Sequence, residues 1–356
     1  MPRVLHIVQS GDGGGVQRHV HDLALGLGGQ TAGIITGTEG WLTRSAREAG
    51  IEVRRAPHLM RSLDPRGVAT ARRELARECR EVAPNLLHAH GIFALLAALP
   101  MAGSLPLVYT GHGFQWHDEG HPWGLRRLSL AVHQRAARKV AAFVAVASES
   151  DEARRVGFPR VAPIPNGVRL WDAGAGPADS NTFGVATRLV PGKGLEELLS
   201  VLAAEPDMHL CIAGDGTMRE RLEQEATLLG CGDRLDLVGW QDDLRAFYGG
   251  LFAYVSLSRK EGLPYGVLDA LAAGLPVVLS DIPGHRELVD GKRNGYLVTP
   301  GDAAAVRSAL RSLVTDRAQR AAAGAASRQL AQERFSLDEM LERHAELYRE
   351  VGRAVR

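Results

Sequence analysis

Two acids, Glu261 and Asp269, stand eight positions apart in the stretch Ser258–Leu279, on either side of a Gly-Leu-Pro264 turn. The polar turn holding Glu261 leads into an Ala/Leu-rich helix that carries Asp269. That helix ends at Gly274-Leu-Pro276 and runs into an apolar strand, Val277-Val-Leu279. Backbone amides at such a helix start are free to bind anions and hydroxyl-rich groups. The combination suits a phosphorylated sugar. Glycosidases also use paired carboxylates, but they place them either side of one bond, whereas these two flank a helix turn.

Arg188-Leu-Val-Pro-Gly-Lys193-Gly194 adds two cations at the end of one strand and the start of the next helix, where with helix amides they form a clamp for a diphosphate. Gly11-Asp-Gly-Gly-Gly15 follows the first strand and opens the first helix, so the Gly14 and Gly15 amides can approach an anion. No acid closes the second strand, which ends Ile35-Thr-Gly-Thr38, and this argues against a dinucleotide site. His88-Ala-His90-Gly91 and Thr110-Gly-His112-Gly113 each end an apolar strand. His90 and His112 are expected to point into a cleft, with polar work on a substrate hydroxyl assigned to His112 and structural roles favoured for His88 and His90. A metal reading finds no carboxylate or cysteine at ligand spacing to support it. Val238-Gly239-Trp240 ends another strand, where a base can lie against backbone and apolar side chains, although Trp240 reads better as packing than as a ligand contact. Asp215, in Gly214-Asp-Gly216, reads as a turn residue.

These residues need a scaffold of alternating strands and helices. Strands are expected at Val4–Val8, Gly33–Thr36, Asn85–His90, Leu107–Thr110 and Ala141–Ala147, with helices at Val16–Leu27 and Val68–Val82. Pro163-Ile-Pro-Asn-Gly167 and Asp172-Ala-Gly-Ala-Gly-Pro177 read as a linker, after which the pattern restarts. Strands follow at Thr182–Thr187, His209–Ala213, Leu235–Val238, Ala253–Leu257, Val277–Leu279 and Gly295–Val298, with helices at Leu195–Ala203 and Met218–Leu229. Ser336 can cap a last amphipathic helix reaching Val355, with Leu337, Met340, Leu341, Leu347, Tyr348 and Val351 on one face. A length of 356 residues suits two α/β domains, and such domains bind ligands at the carboxyl ends of their parallel strands. A hydrophobic share of 45% with 23% charge is that of a globular chain. Cys79, Cys211 and Cys231 have no metal-type spacing and cannot complete a disulfide set, which favours a reducing compartment. No basic-then-apolar leader is evident, so the expected location is cytoplasmic. The net charge of +1 hides an asymmetry: residues 1–170 carry 21 Lys+Arg against 14 Asp+Glu, and residues 171–356 carry 21 against 27. Nothing points to nucleic acid; a basic first half suits an anionic acceptor or membrane surface.

Taken in order, Gly13-Gly14-Gly15, His90-Gly91, Thr110-x-His112-Gly113, Ile164-Pro-Asn-Gly-Val168, Arg188-x4-Lys193-Gly194, Gly214-Asp-Gly216, Val238-Gly239 and Glu261-Gly-Leu-Pro, leading to Ala270-x2-Ala-Gly274-x-Pro276, form a distinctive set. The chain resembles the nucleotide-sugar-dependent, retaining glycosyltransferases of family 4, which have the GT-B fold. That resemblance covers essentially the whole chain. It implies two facing Rossmann-like domains with parallel sheets, an acceptor-binding one over residues 1–168 and a nucleotide-sugar-binding one over 169–335. Residues 336–356 would form a helix crossing back to the first domain. No cofactor and no bound divalent metal is implied, the nucleotide-sugar being a substrate.

Residue by residue, the match makes Arg188 and Lys193 the diphosphate contacts and Gly14 and Gly15 amide donors to the same phosphates. His112 matches the histidine that holds the donor sugar near its reacting carbon. Glu261 matches the first acid of an E-x7-E motif oriented on the sugar, with the Gly262 and Leu263 amides nearby, and Gly239 falls in the donor-binding set. The motif's second acid, which commonly holds ribose hydroxyls, is replaced here by Asp269. Aspartate is one methylene shorter, about 1.5 Å less reach, which puts donor affinity in question more than reaction type.

The expected reaction is transfer of a sugar, UDP-linked rather than GDP-linked, to a hydroxyl of a glycan, a lipid-linked saccharide or a small molecule. A GT-B nucleotide-sugar epimerase, a phosphorylase or a non-catalytic relative would share the fold. The basic, partly amphipathic segment Trp123–Lys139 offers a surface for peripheral contact with the inner face of an anionic membrane, and reads equally well as a plain surface helix.

Overall fold

The computed structural model describes residues 2–59, 65–113, 123–147, 149–171, 180–291 and 293–353. The chain divides into two compact units, one of Met1–Asn166 with Leu337–Arg356, the other of Gly167–Ser336. The expected linker segment Asp172–Pro177 lies outside the described residues. Among the described residues, no helix is long and apolar enough to cross a membrane.

The first unit runs β1 (Val4–Val8), α1 (Gly15–Gly26), β2 (Thr31–Thr36), α2 (Trp41–Glu48), β3 (Val53–Arg55), α3 (Pro65–Val82), β4 (Leu86–His90), α4 (Ile92–Ala98), β5 (Leu107–Thr110), α5 (Trp123–Ala137), β6 (Ala142–Ala145), α6 (Ser150–Val156) and β7 (Val161–Pro163). Its seven strands lie parallel in the order β3-β2-β1-β4-β5-β6-β7. All five residues of β1 and of β4 are buried, as expected of central strands covered on both faces. The chain leaves β1 in one direction and returns at β4 to build the other half, so the winding reverses between these two strands. Pro163, which the sequence places in the break, closes the edge strand β7. An edge position tolerates the missing N–H.

The second unit runs β8 (Thr182–Ala186), α7 (Leu195–Ala204), β9 (His209–Ala213), α8 (Arg219–Leu228), β10 (Leu235–Gly239), α9 (Arg245–Gly249), β11 (Ala253–Ser256), α10 (Tyr265–Ala272), β12 (Val277–Ser280), α11 (Pro283–Arg286), β13 (Gly295–Val298), α12 (Ala303–Thr315) and α13 (Arg317–Arg334). Its parallel sheet has the order β10-β9-β8-β11-β12-β13, so its reversal lies between β8 and β11. Asp302 and Asp316 cap α12 and α13, accepting from the Ala305 and Gln319 amides at 2.9 and 2.8 Å.

The last helix, α14 (Leu337–Arg353), belongs to the first unit. Its Leu337, Met340, Leu347, Tyr348 and Val351 join a core with Val4, Leu23, Leu86 and Val108. His344 completes that buried stripe. The GT-B-type arrangement expected from the sequence, two parallel-sheet Rossmann-like units with a terminal helix returning to the first, is the fold observed.

Candidate active site

In the second unit, the loops that leave β8 and β11 meet at the winding reversal, where open α/β sheets bind ligands. Gly194, with φ 69°, ends the first loop; a methyl there would sit 2.4 Å from the Leu257 carbonyl oxygen at the end of β11. Only glycine allows that approach, and it brings the start of α7 against the second loop. The Arg259 amide then donates to the Gly192 carbonyl at 2.9 Å. Above this backbone contact, Lys193 Nζ lies 2.5 Å from Glu261 Oε1, with the two side chains 15% and 17% exposed. Both charges are therefore largely withdrawn from water, with a small exposed face left for a ligand. Arg188, at the end of β8, is exposed and makes no side-chain hydrogen bond or ion pair among the described residues.

The turn carrying Glu261 is braced from beneath. A methyl on Gly284 would lie 2.0 Å from the Gly262 carbonyl oxygen and 2.4 Å from that of Glu261, so α11 starts directly under the turn. Ser280 Oγ donates to the Ser258 carbonyl at 2.5 Å, and His285 Nδ1 lies 3.1 Å from the same hydroxyl. Burial holds the His285 imidazole below its ordinary pKa, so this support is uncharged at neutral pH. The Gly262 amide has no hydrogen-bond partner among the described residues, and Leu263 is 4% exposed.

Asp269 is 8% exposed on α10. The Tyr254 phenol is raised by burial first and then by the charges of Glu261 and Asp269, which places it within the field of both acids. Its oxygen donates to the Ala186 carbonyl at 3.1 Å and receives the Ala186 amide at 3.2 Å, tying the end of β8 to the acids. Gly239 ends β10, two strands from β8 on the side away from Glu261, about 9–10 Å of sheet width. Trp240 is 46% exposed, with its indole N–H on Asp242 at 2.8 Å. Asp215 accepts from the Gly216 amide at 2.7 Å, a turn contact.

Gly14, Gly15 and His112 belong to the first unit. Gly14 precedes α1, and the Gly14 and Gly15 amides have no partner among the described residues. His112 has φ 53°, a left-handed conformation costing a non-glycine residue about 1–2 kcal/mol. Its Nε2 lies 3.3 Å from His90 Nδ1. His90 is 1% exposed, and its Nε2 is 3.3 Å from His6 Nδ1. His90 does not point into an open cleft as expected: a central strand buried on both faces holds it between two other imidazoles, in line with the structural role that the sequence favours for it. His88 is fully buried, 2.6 Å from the Tyr348 hydroxyl and 2.8 Å from Thr110 Oγ1. Burial, reinforced by neighbouring imidazoles, lowers His6 and His112 to about 3, and holds His19, His88 and His90 well below the ordinary value.

His6, His19 and His344 escaped the sequence reading because histidine counts as polar. The signal for His19 was its place beside Val20, Leu23 and Ala24 on the buried face of α1.

The chain is similar to known proteins in sequence and in fold. The model described as Glycosyltransferase Family 4 matches residues 13–171, and that described as Glycosyl transferases group 1 matches residues 172–330. The lipopolysaccharide core biosynthesis glycosyltransferase LpsE of Rhizobium meliloti is 34% identical over 144 residues, 40% of this chain and 42% of its own length. The putative glycosyltransferase EpsD of Bacillus subtilis is 26% identical over 72% of each chain. The crystal structure of Anabaena Alr3699/HepE in complex with UDP-glucose superposes with a TM-score of 0.83, at 22% identity, over 98% of this chain and 100% of that one. The two family models together span residues 13–330, and the chain belongs to the family 4-type glycosyltransferases of GT-B fold.

Proposed function

We propose that the protein transfers a sugar from a nucleotide-sugar donor, UDP-linked, to a hydroxyl of a glycan or lipid-linked saccharide, with retention of configuration and without a bound metal. The observation that carries this reading is the Lys193–Glu261 pair at the β8–β11 reversal, with a Gly262 amide that has no hydrogen-bond partner among the described residues and with Arg188 on the same β8–α7 loop as Lys193. A diphosphate arriving there meets two cations, and Lys193 exchanges part of its contact with Glu261 for phosphate oxygens. Glu261, relieved of that contact, accepts hydrogen bonds from sugar hydroxyls. As the anomeric carbon–oxygen bond lengthens, negative charge grows on the diphosphate, and Arg188 with Lys193 stabilises it in place. The acceptor hydroxyl attacks the face the diphosphate leaves, and its proton passes to the departing phosphate oxygen. Within the first unit, His112, Gly14 and Gly15 are given the donor-contact roles that the family resemblance implies; within the second, Gly239, Leu263 and Asp269 are given the nucleoside side.

UDP is favoured because the structurally similar HepE is captured with UDP-glucose. A cell-envelope glycan acceptor is favoured by the likeness to LpsE. Calorimetry with UDP-, GDP- and ADP-sugars, followed by NMR of the product's anomeric carbon, tests donor and stereochemistry together. Preference for another base, or inversion, rejects the corresponding part.

The membrane side of the reading rests on α5. Trp123, Leu125 and Leu128 are 69%, 41% and 51% exposed, and the Arg127 guanidinium lies 4.5 Å over the Trp123 ring. Apolar anchors interleaved with arginines suit an anionic lipid surface. Salt-sensitive sedimentation with vesicles containing anionic lipid, lost in Trp123→Ala/Leu128→Ala, is expected; equal sedimentation with neutral vesicles rejects it.

A further inference from the structure

We propose that His19, His90 and His112 form a binding site for a late first-row divalent ion, zinc above all, and that zinc bound there inhibits transfer. Each ring offers one nitrogen, and the three nitrogens lie within 4.8 Å of one another. One edge already has the spacing of metal ligands. His90 Nδ1 and His112 Nε2 are 3.3 Å apart, while two nitrogens on a tetrahedral zinc at ~2.0–2.1 Å lie about 3.3–3.4 Å apart.

The remaining polar contacts fit the same purpose. His19 Nδ1 lies 3.0 Å from Asn166 Oδ1, and with its proton there the ring's Nε2 carries a lone pair. That Nε2 is buried and has no hydrogen-bond partner among the described residues. A lone pair so placed costs free energy that an ion would recover. His90 Nε2 is in turn held at 3.3 Å from His6 Nδ1. Ligating histidines characteristically fix their second nitrogen in this way. His112 is only partly buried, so solvent can enter from its side and fill a fourth position.

Three imidazoles with an open position form a donor set for zinc, and nitrogen donors select zinc, copper, nickel or cobalt over magnesium and calcium. A second trio, His6, His88 and His90, is as compact. There, however, His88 has both nitrogens engaged, on the Tyr348 hydroxyl and Thr110 Oγ1.

Binding follows from this geometry alone, whereas inhibition also rests on the proposed role of His112, because a ring committed to zinc cannot contact the donor sugar. The test titrates the full chain with Co2+, follows its visible absorption, then displaces it with Zn2+. One four-coordinate Co2+ per chain is expected, unaffected by Mg2+, lost in His19→Ala and weakened about 10–100-fold in Asn166→Ala. No saturable Co2+ binding by the wild type, or unchanged binding by His19→Ala, overturns the site. Anomalous diffraction at the zinc edge from wild-type crystals locates the ion without any variant, and an ion bonded elsewhere overturns it equally. Zn2+ is expected to stop wild-type turnover and a chelator to restore it. Zinc bound at the three histidines with full turnover would leave the site standing and overturn the inhibition, and with it the donor contact of His112.

Discussion

Lys193 and Glu261 are 68 residues apart in sequence, yet their charged atoms meet at 2.5 Å because β8 and β11 are neighbours in the sheet. Each side chain is more than four-fifths withdrawn from solvent, so each depends on the other for compensation when no ligand is present.

Replacing either partner has two separable consequences. Lys193→Ala and Glu261→Ala should each lower kcat by at least about 100-fold, the loss typical of a group aimed at developing charge, while circular dichroism stays native. The double variant should be less destabilised than the sum of the two single ones, because it leaves no unpaired charge. Wild-type turnover in both single variants would remove them from the site.

Asp269→Asn keeps the shape of a buried side chain and removes its charge. If the residue holds ribose, donor KM rises by about tenfold, ~1.4 kcal/mol, with kcat nearly unchanged. A fall in kcat at constant KM would instead put Asp269 on the reacting sugar.

Gly284→Ala tests whether the floor beneath Glu261 matters. Its methyl would strike the Gly262 and Glu261 carbonyl oxygens at 2.0 and 2.4 Å. The turn must move, at a stability cost of about 1–3 kcal/mol, and kcat should fall well beyond what that loss of folded protein explains. Unimpaired turnover would show that Glu261 does not need this support.

The histidine cluster predicts a pH dependence of stability. His6 and His112 are lowered to about 3 and His344 to about 4, chiefly by burial, from 6.5. Below 6.5 the unfolded chain takes up protons that the folded chain refuses, so stability falls as pH drops toward those values. Each such histidine contributes a slope of about 1.4 kcal/mol per pH unit in that window. The urea midpoint should fall between pH 7 and pH 5. A constant midpoint over that range contradicts neutral, buried rings.

Much of the architecture was legible because it is local. Apolar runs such as Val4–Val8 and His209–Ala213, each followed by a helical pattern, gave two α/β units, and the stripe from Leu337 to Val351 gave a last helix needing a partner. Short elements such as β3 and α2 were not read, because three residues of strand or two turns of helix carry too little periodicity. The unit boundary falls at Asn166/Gly167 and Ser336/Leu337, within two residues of the composition break and of the last helix.

By itself, the sequence determined the alternation of strands and helices, and which strands end in a cation, an acid, a histidine or a glycine turn. Only the tertiary structure decided which of those ends are neighbours. Strand order brings the Lys193 loop to the Glu261 turn, seats α11 under that turn, and gathers histidines from β1, α1, β4 and α14 into one buried cluster. Hydrophobic periodicity fixes the face a residue presents within its own element. The partner it meets depends on how elements far apart in the chain share a sheet, and no local pattern carries that information.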